Sequence, residues 1–196
     1  MSAAPSFRES SRARLRESLI VAARELTITH GWNSVRMADV ARLAGVSRQT
    51  LYNEYDSRAG LAEGVAVREI QLFATGVRER LFSHGADVRA AARAAILYAL
   101  EEAERNPLVR AILTSARGGA DELLPYLTTR ADVVLQAAGE VIRDWAGAHV
   151  QGTGSAALDV ASDSIVRLTV SHIILPQSSP AEAADVLADI FVRLLQ

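Results

Sequence analysis

Apolar residues recur every three or four positions along nearly the whole chain, and this spacing restricts the fold more than any other feature. Near the N-terminus, for example, Leu15, Leu19, Ala23 and Leu26 would lie on one face of a helix. No segment shows the sustained two-residue alternation that is typical of a half-buried strand. We therefore predict an all-α protein.

Glycine, proline and capping residues divide this pattern into about nine helices. A glycine just past a helix suits its C-cap, and a polar residue or a proline suits its first turn. On this basis the predicted helices cover residues up to about 29, 37–44, 47–55, 57–82, a helix capped by Asp87, 106–118, 121–146, 156–175 and 180–195. The glycine-rich segment 147–155 is predicted to be a flexible linker.

The second and third predicted helices are joined by the short segment 44–47, Ala-Gly-Val-Ser, which fits a helix-turn-helix. The turn requires a positive φ angle, and Gly45 adopts one without the steric cost of a side chain. Ala41 is small enough to let the two helices cross closely, while Leu51 and Tyr55 point inward from the third helix. Such helix pairs also occur in proteins that never bind DNA, so the spacing alone does not settle the function.

The amino-acid sequence around the turn is more specific than the spacing of the helices. The run 35–55, VRMADVARLAGVSRQTLYNEY, together with its flanks 22–32 and 56–61, resembles the DNA-binding signature of the TetR family of bacterial repressors. The resemblance covers about residues 12–64. It implies a helix-turn-helix domain in residues 1–60, followed by an effector-binding and dimerisation domain in residues 61–196. The implied function is a ligand-responsive regulator, expected to be a repressor, that binds double-stranded DNA as a dimer at a palindromic operator.

The resemblance also assigns roles to residues of the third helix. Arg48, Gln49, Thr50 and Asn53 occupy positions that meet base edges and nearby phosphates, and Tyr52 occupies a position that meets the phosphate backbone. Tyr52 could instead be a core aromatic residue. However, the inward positions of this helix are already taken, which turns Tyr52 outward.

Three more residues complete the expected DNA-binding set. Ser47 is the predicted N-cap of the third helix, because its hydroxyl can accept from an unpaired amide of the first turn. Arg58 replaces the lysine usual at its position in the family and should still bind a phosphate. Arg36 stands where a serine or threonine commonly caps the second helix, and we expect it to exchange that cap for a phosphate contact.

The last two predicted helices are apolar on more than one face, so one face can pack within the subunit while another needs a partner. We therefore expect a homodimer formed by these helices, with complete burial inside one chain as the alternative. The resemblance further implies a pocket for a small, mainly apolar effector. Candidate ligand contacts are the side chains with polar ends in this apolar region: Tyr98, Tyr126, Trp145 and His172. For each of them, simple core packing is the alternative.

Composition restricts the remaining possibilities. Residues 1–60 carry nine arginines against six acidic residues, whereas residues 61–196 carry twelve arginines against seventeen, which is the asymmetry expected of a DNA-binding segment.

The chain has no cysteine, its four histidines lack metal-ligand spacing, and Gly152-Thr153-Gly154 follows no strand. We expect no cofactor, metal or catalytic site. A helical protein-binding adaptor and a helical enzyme remain alternatives. Neither a signal peptide nor a membrane-length apolar run is evident, so we expect a cytoplasmic protein without membrane contact.

Overall fold

The computed structural model describes residues 6–109, 131–150 and 154–196. Within these ranges the chain contains helices and no strand, as predicted. A single 3-10 turn, Trp32–Ser34, follows the first helix. The α-helices are α1 (Phe7–His30), α2 (Met37–Leu43), α3 (Arg48–Glu54), α4 (Arg58–Phe82), α5 (Val88–Arg105), α6 (Ala131–His149), α7 (Ser155–Ile174) and α8 (Pro180–Leu194).

The chain divides into two compact units, and the division falls between Arg68 and Glu69, inside α4. The domain boundary predicted after residue 60 lies earlier on the same helix, which continues without interruption to Phe82. None of the helices in the described ranges is long and apolar enough to cross a membrane.

The first unit is held together by side chains from the 3-10 turn and from α1 to α3. Leu19, Trp32, Val40 and Leu51 are almost completely buried in it. Because burying an aliphatic or aromatic side chain contributes about 1.5–3 kcal/mol, even this small core can hold short helices that would not persist alone. The α2–α3 turn closes as predicted: Gly45 has a φ of 69° and the amide of Val46 donates to the carbonyl oxygen of Ala41 at 2.9 Å.

The second unit packs α8 along α5 and places α7 against α6 and α8. The buried face of α5 consists largely of alanines, which lets Leu187 and Phe191 of α8 approach its backbone closely. Along the outer edge of the same helix pair, Arg93 meets Asp185 at 2.8 Å and Arg89 meets Asp189 at 2.6 Å. These exposed ion pairs align the two helices but contribute little free energy, since water screens them.

Most predicted helix ends are confirmed by their caps. Ser57 Oγ accepts from the amide of Gly60 at 3.1 Å, and Asp87 Oδ1 accepts from the amide of Ala90 at 3.0 Å. One end was wrong: α6 continues through Gly147 to His149, so the segment predicted as linker begins as helix. The reason is partly tertiary, because the His149 ring stacks on Trp145 one turn earlier and also meets the Phe82 ring of α4 edge-on at 5.5 Å, which favours helix on both sides of the glycine. The predicted breaks at Gly118-Gly119 and Asp121 lie outside the described residues.

Candidate nucleic-acid interface and ligand cavity

Helix α3 presents one face to the core of its unit and the other to solvent. Leu51 is completely buried and Tyr55, just past the helix, is 7% exposed. On the opposite face Arg48, Gln49, Tyr52 and Asn53 are exposed, and Tyr52 keeps 44% of its surface in water. A tyrosine that belonged to the core would be buried. The exposure of Tyr52 therefore agrees with the outward orientation predicted for it.

The start of α3 is fixed by Ser47. Its Oγ accepts from the amide of Thr50 at 3.0 Å and lies 2.8 Å from the Thr50 hydroxyl. One turn further, Gln49 Nε2 donates to Asn53 Oδ1 at 3.0 Å, which holds both amides side by side on the exposed face. Arg48, in contrast, makes no hydrogen bond or ion pair with any residue that the structure describes. Its guanidinium therefore remains available for the two acceptors of a guanine edge.

The end of α3 is anchored by two arginines of α1 that the sequence reading did not single out. Arg12 Nε lies 2.8 Å from a carboxylate oxygen of Glu54, and Arg16 Nε lies 3.4 Å from the same oxygen. Arg16 also donates to the main-chain oxygen of Glu54 at 3.3 Å and covers the Tyr55 ring at 5.2 Å. The two arginines offset a carboxylate that would otherwise repel phosphate beside α3. Their four-residue spacing was the available signal.

Tyr55 connects α3 to α4. Its ring lies against Gly64, where a Cβ atom would stand 2.9 Å from the ring, so a larger residue at position 64 would displace it. Burial raises the pKa of the Tyr55 phenol, although nearby Arg16 partly opposes this effect. This position agrees with the inward orientation predicted for Tyr55.

Arg58 is held within the protein. Its guanidinium covers the Trp32 ring at 5.0 Å and donates to the carbonyl oxygens of Trp32 and Val35, the latter at 3.1 Å. The residue is partly buried. This arrangement ties the start of α4 to the 3-10 turn that leads into α2, which gives Arg58 a structural role that the sequence did not reveal. Its predicted phosphate contact stays a prediction.

Arg36 occupies the N-cap position of α2 and makes no side-chain capping bond there. The sequence predicted this missing cap. The side chain is exposed and has no hydrogen-bond or ion-pair partner among the described residues, so its cation faces water beside the helix-turn-helix. A phosphate contact is compatible with that position.

The second unit contains a partly open cavity of about 80 Å³ between α4, α5, α6, α7 and α8. In the residues that the structure describes, its lining is hydrocarbon except for one hydroxyl, that of Thr169. That hydroxyl already donates to the carbonyl oxygen of Ile165 at 2.8 Å, within its own helix. The lining residues are Phe73, Val77, Leu81, Ala92, Ala95, Ile96, Ala99, Ala138, Ile142, Ile165, Val166, Thr169, Val170, Ile173 and Phe191. The described walls therefore offer a ligand apolar contact and no charged group.

The predicted ligand contacts are not brought together around this cavity. Tyr98 lies 5.9 Å from the Phe73 ring and packs over Gly76 outside the lining. Trp145 is completely buried beside the cavity, and its indole N–H has no hydrogen-bond partner in the described part of the chain. His172 lines a smaller neighbouring pocket that shares only Ile173 with the cavity. Tyr126 lies outside the described residues. These four assignments stay predictions.

The described residues contain no group of three or more metal-ligating side chains. What the chain does present is a helix-turn-helix whose outer helix exposes a guanidinium and two amides, on a unit separate from an apolar cavity. Base edges and phosphates are the partners that such a helix suits, which places the chain in the class of DNA-binding transcriptional regulators.

Comparisons with known proteins give the particular family. Residues 19–65 match the family model described as bacterial regulatory proteins, tetR family. Residues 87–193 match the model described as the bacterial tetracyclin repressor, C-terminal domain. The chain belongs to the TetR family of transcriptional regulators. It is a regulator and not an enzyme.

Individual relatives agree with this assignment. The chain is 35% identical over 185 residues to the HTH-type transcriptional regulator AlkX of Mycobacterium tuberculosis, covering 94% of this chain and 85% of that protein. The crystal structure of the TetR family repressor AlkX from Dietzia sp., implicated in biodegradation of n-alkanes, superposes with a TM-score of 0.67 at 29% identity, covering 92% and 97% of the two chains. A TetR-family regulator from Mesorhizobium loti superposes with a TM-score of 0.68 at 17% identity, covering 93% and 97%, and supports the fold alone.

Proposed function

We propose that this chain is a dimeric repressor that binds a palindromic operator and releases it when an uncharged, hydrocarbon-rich molecule fills the cavity of the second unit. The observation that carries this proposal is the lining of the cavity, where the only polar group among the described residues is a hydroxyl already bonded to its own helix. A charged ligand would lose its hydration there without gaining a partner, which costs several kcal/mol. An alkyl chain would lose nothing and gain apolar contact.

The relatives support this choice of ligand. The Dietzia repressor is implicated in biodegradation of n-alkanes, and it spans nearly the whole of this chain. A regulator of hydrocarbon use needs to sense a molecule with few polar groups. The described cavity of about 80 Å³ is small for a long alkyl chain, so we infer that such a ligand prefers a form in which the surrounding helices lie further apart. This preference would let the ligand shift the protein toward that form.

DNA binding is assigned to the exposed face of α3 and its surroundings. Base edges are contacted by Arg48, Gln49, Thr50 and Asn53, phosphates by Tyr52, Arg36 and Arg58, and Ser47 holds the start of the helix. Two such helices in a symmetric dimer would enter successive major grooves about 34–36 Å apart, which makes the operator palindromic. The dimer is formed through α7 and α8, whose outer faces keep apolar side chains in water.

The experiment begins with selection of bound duplexes from fragments of the host genome by the full-length protein. A selected duplex is then titrated by fluorescence anisotropy in the presence of n-decane, 1-decanol or decanoate. We expect a palindromic duplex, and release by the two uncharged compounds at lower concentration than by decanoate. Release by decanoate alone would contradict the proposed ligand class, and selection of no duplex would contradict DNA binding itself. Expression of the downstream gene is then measured in a strain that lacks the regulator. For a repressor, this expression should rise on deletion.

A further inference from the structure

Helix α1 extends outward from the part of the chain that the DNA-binding family model covers. The family match begins at residue 19, whereas α1 begins at Phe7. In this extension Arg8, Arg12 and Arg16 are spaced by four residues and share one face of the helix. Leu19, on the same face, is completely buried in the first unit. The three arginines therefore point toward the side on which the helix-turn-helix lies.

The two inner arginines show where this face leads. Arg12 and Arg16 both reach Glu54, the last residue of α3, at 2.8 Å and 3.4 Å. Arg8 lies one turn further out, about 6 Å along the helix axis, and so projects just past the end of α3. It is exposed and forms no hydrogen bond or ion pair with the residues that the structure describes.

The charges around Arg8 favour an anion. Glu54 is already offset by two arginines, and the nearest carboxylate on α1, that of Glu9, is turned back to the helix start, where it accepts from the amide of Ser6 at 2.7 Å. That capping bond lowers the pKa of Glu9, and the carboxylate stays engaged at neutral pH. With Glu9 and Glu54 both engaged, Arg8 is left as a cation without a carboxylate partner among the described residues.

An α-helix with its side chains is about 10–12 Å wide and nearly fills a major groove about 12 Å wide, so a recognition helix in the groove has a sugar–phosphate strand on either side. A long cationic side chain from a neighbouring helix can then reach a phosphate of that strand. We propose that Arg8 binds a DNA phosphate at the outer edge of each operator half-site, and that Arg12 and Arg16 position α1 for this contact through Glu54. This contact extends the DNA-binding surface beyond α2, α3 and the start of α4. It rests on DNA binding by the family and not on the proposed ligand.

Arg14 provides a matched control for the test. It is also an exposed arginine of α1 with no hydrogen-bond or ion-pair partner in the described part of the chain, but it lies on the opposite face of the helix. Full-length Arg8→Ala, Arg14→Ala and Arg8→Lys variants are compared with the unchanged protein on the selected operator duplex, from 50 to 200 mM salt. Circular dichroism and thermal melting establish that each variant is folded.

A dimer loses two phosphate contacts when Arg8 is replaced by alanine, one in each subunit. The slope of log affinity against log salt should therefore become less steep by about 2. The loss of affinity caused by Arg8→Ala should then be about tenfold larger at 50 mM than at 200 mM salt. Arg14→Ala should leave the slope unchanged, and Arg8→Lys should restore it. A duplex trimmed at its outer edges should bind the unchanged protein and Arg8→Ala equally.

Equal slopes for Arg8→Ala and Arg14→Ala would overturn the proposal. A lower melting temperature for Arg8→Ala with an unchanged salt slope would also overturn it, because Arg8 would then only support the helix. If the unchanged protein selects no duplex, DNA binding fails and this contact fails with it. If the unchanged protein binds the duplex but no hydrocarbon releases the duplex, only the proposed ligand class is wrong.

Discussion

Arg48 is the residue from which sequence-specific binding can be tested most sharply. It lies in the first turn of α3, is exposed, and has no partner in the described chain that would compete with DNA. Because guanidinium matches the two acceptors of guanine, Arg48→Ala should cost about 1–3 kcal/mol on the operator and relax the preference at one base position. Arg42→Ala on α2, whose guanidinium meets Asp39 at 3.2 Å, serves as the control.

The measurement is anisotropy on the operator and on duplexes substituted at each position in turn. Arg42→Ala should leave the pattern of base preference unchanged. If Arg48→Ala weakens every duplex equally, Arg48 contacts a phosphate and the guanine assignment is wrong.

The glycine in the helix-turn-helix can be tested by stability. Gly45 has a φ of 69°, and a Cβ added there would meet nothing within 4 Å, so the cost of Gly45→Ala comes from the backbone alone. We expect it to lower the free energy of unfolding by about 1–2 kcal/mol. Gly147 also has open space around it but is helical, and Gly147→Ala should stabilise by about 0.5–1 kcal/mol. Urea titrations of both variants check these opposite signs, and two equal effects would contradict the explanation.

At the scale of helices and turns, the DNA-binding unit was predictable because its signals are local. Ser47, Gly45, Ser57 and the inward Leu51 all act on residues within one or two turns of themselves. The cavity was not predictable in the same way, since its lining combines residues far apart in the chain, such as Phe73 of α4 and Phe191 of α8. Helical periodicity shows that both residues are core candidates, but nothing local shows which aromatic residues line a void. The predicted ligand contacts were residues with polar ends, whereas the described lining is almost entirely apolar.

Arg58 also has a role that local sequence signals could not show, because its partners lie in an earlier part of the chain. The resemblance predicted a phosphate contact, and the structure adds hydrogen bonds to Trp32 and Val35, 26 and 23 residues earlier in the chain. Hydrogen bonds from a charged donor contribute about 1.5–3 kcal/mol, reduced here because the side chain is only partly buried. Arg58→Ala should therefore destabilise the first unit and expose Trp32.

Fluorescence can follow that unit by itself. The chain has two tryptophans, and Trp145→Phe leaves Trp32 as the only reporter. In this background Arg58→Ala should shift the Trp32 emission to longer wavelength and lower its unfolding midpoint. An unchanged midpoint together with a reduced salt slope of DNA binding would show that Arg58 acts on phosphate only.

For the whole molecule, the dimer is the first property to test. The outer faces of α7 and α8 keep Val160 and Val186 in water, at 62% and 58% exposure. A charge placed there should break an apolar interface and leave the subunit folded. We expect Val186→Glu to sediment as a monomer at micromolar concentration. Leu72→Glu, at an exposed apolar position of α4, should remain dimeric. A monomeric unchanged protein, or a dimeric Val186→Glu variant, would contradict the assigned interface.

The central claim is that the cavity and the operator are coupled, and Ala95 allows it to be tested directly. Ala95 lines the cavity. Ala94, the preceding residue of α5, does not line it. Ala95→Leu places three more carbon atoms in the cavity, so it should weaken binding of n-decane while leaving the operator bound in its absence. Ala94→Leu is the control.

The measurement is the operator affinity of the unchanged protein and of both variants, with increasing n-decane. Linkage requires the factor by which n-decane weakens operator binding to equal the factor by which operator weakens n-decane binding. We predict a decrease in operator affinity for the unchanged protein and Ala94→Leu, with equal reciprocal factors, and a much smaller decrease for Ala95→Leu. An n-decane molecule that binds the cavity tightly and leaves operator affinity unchanged would contradict the account.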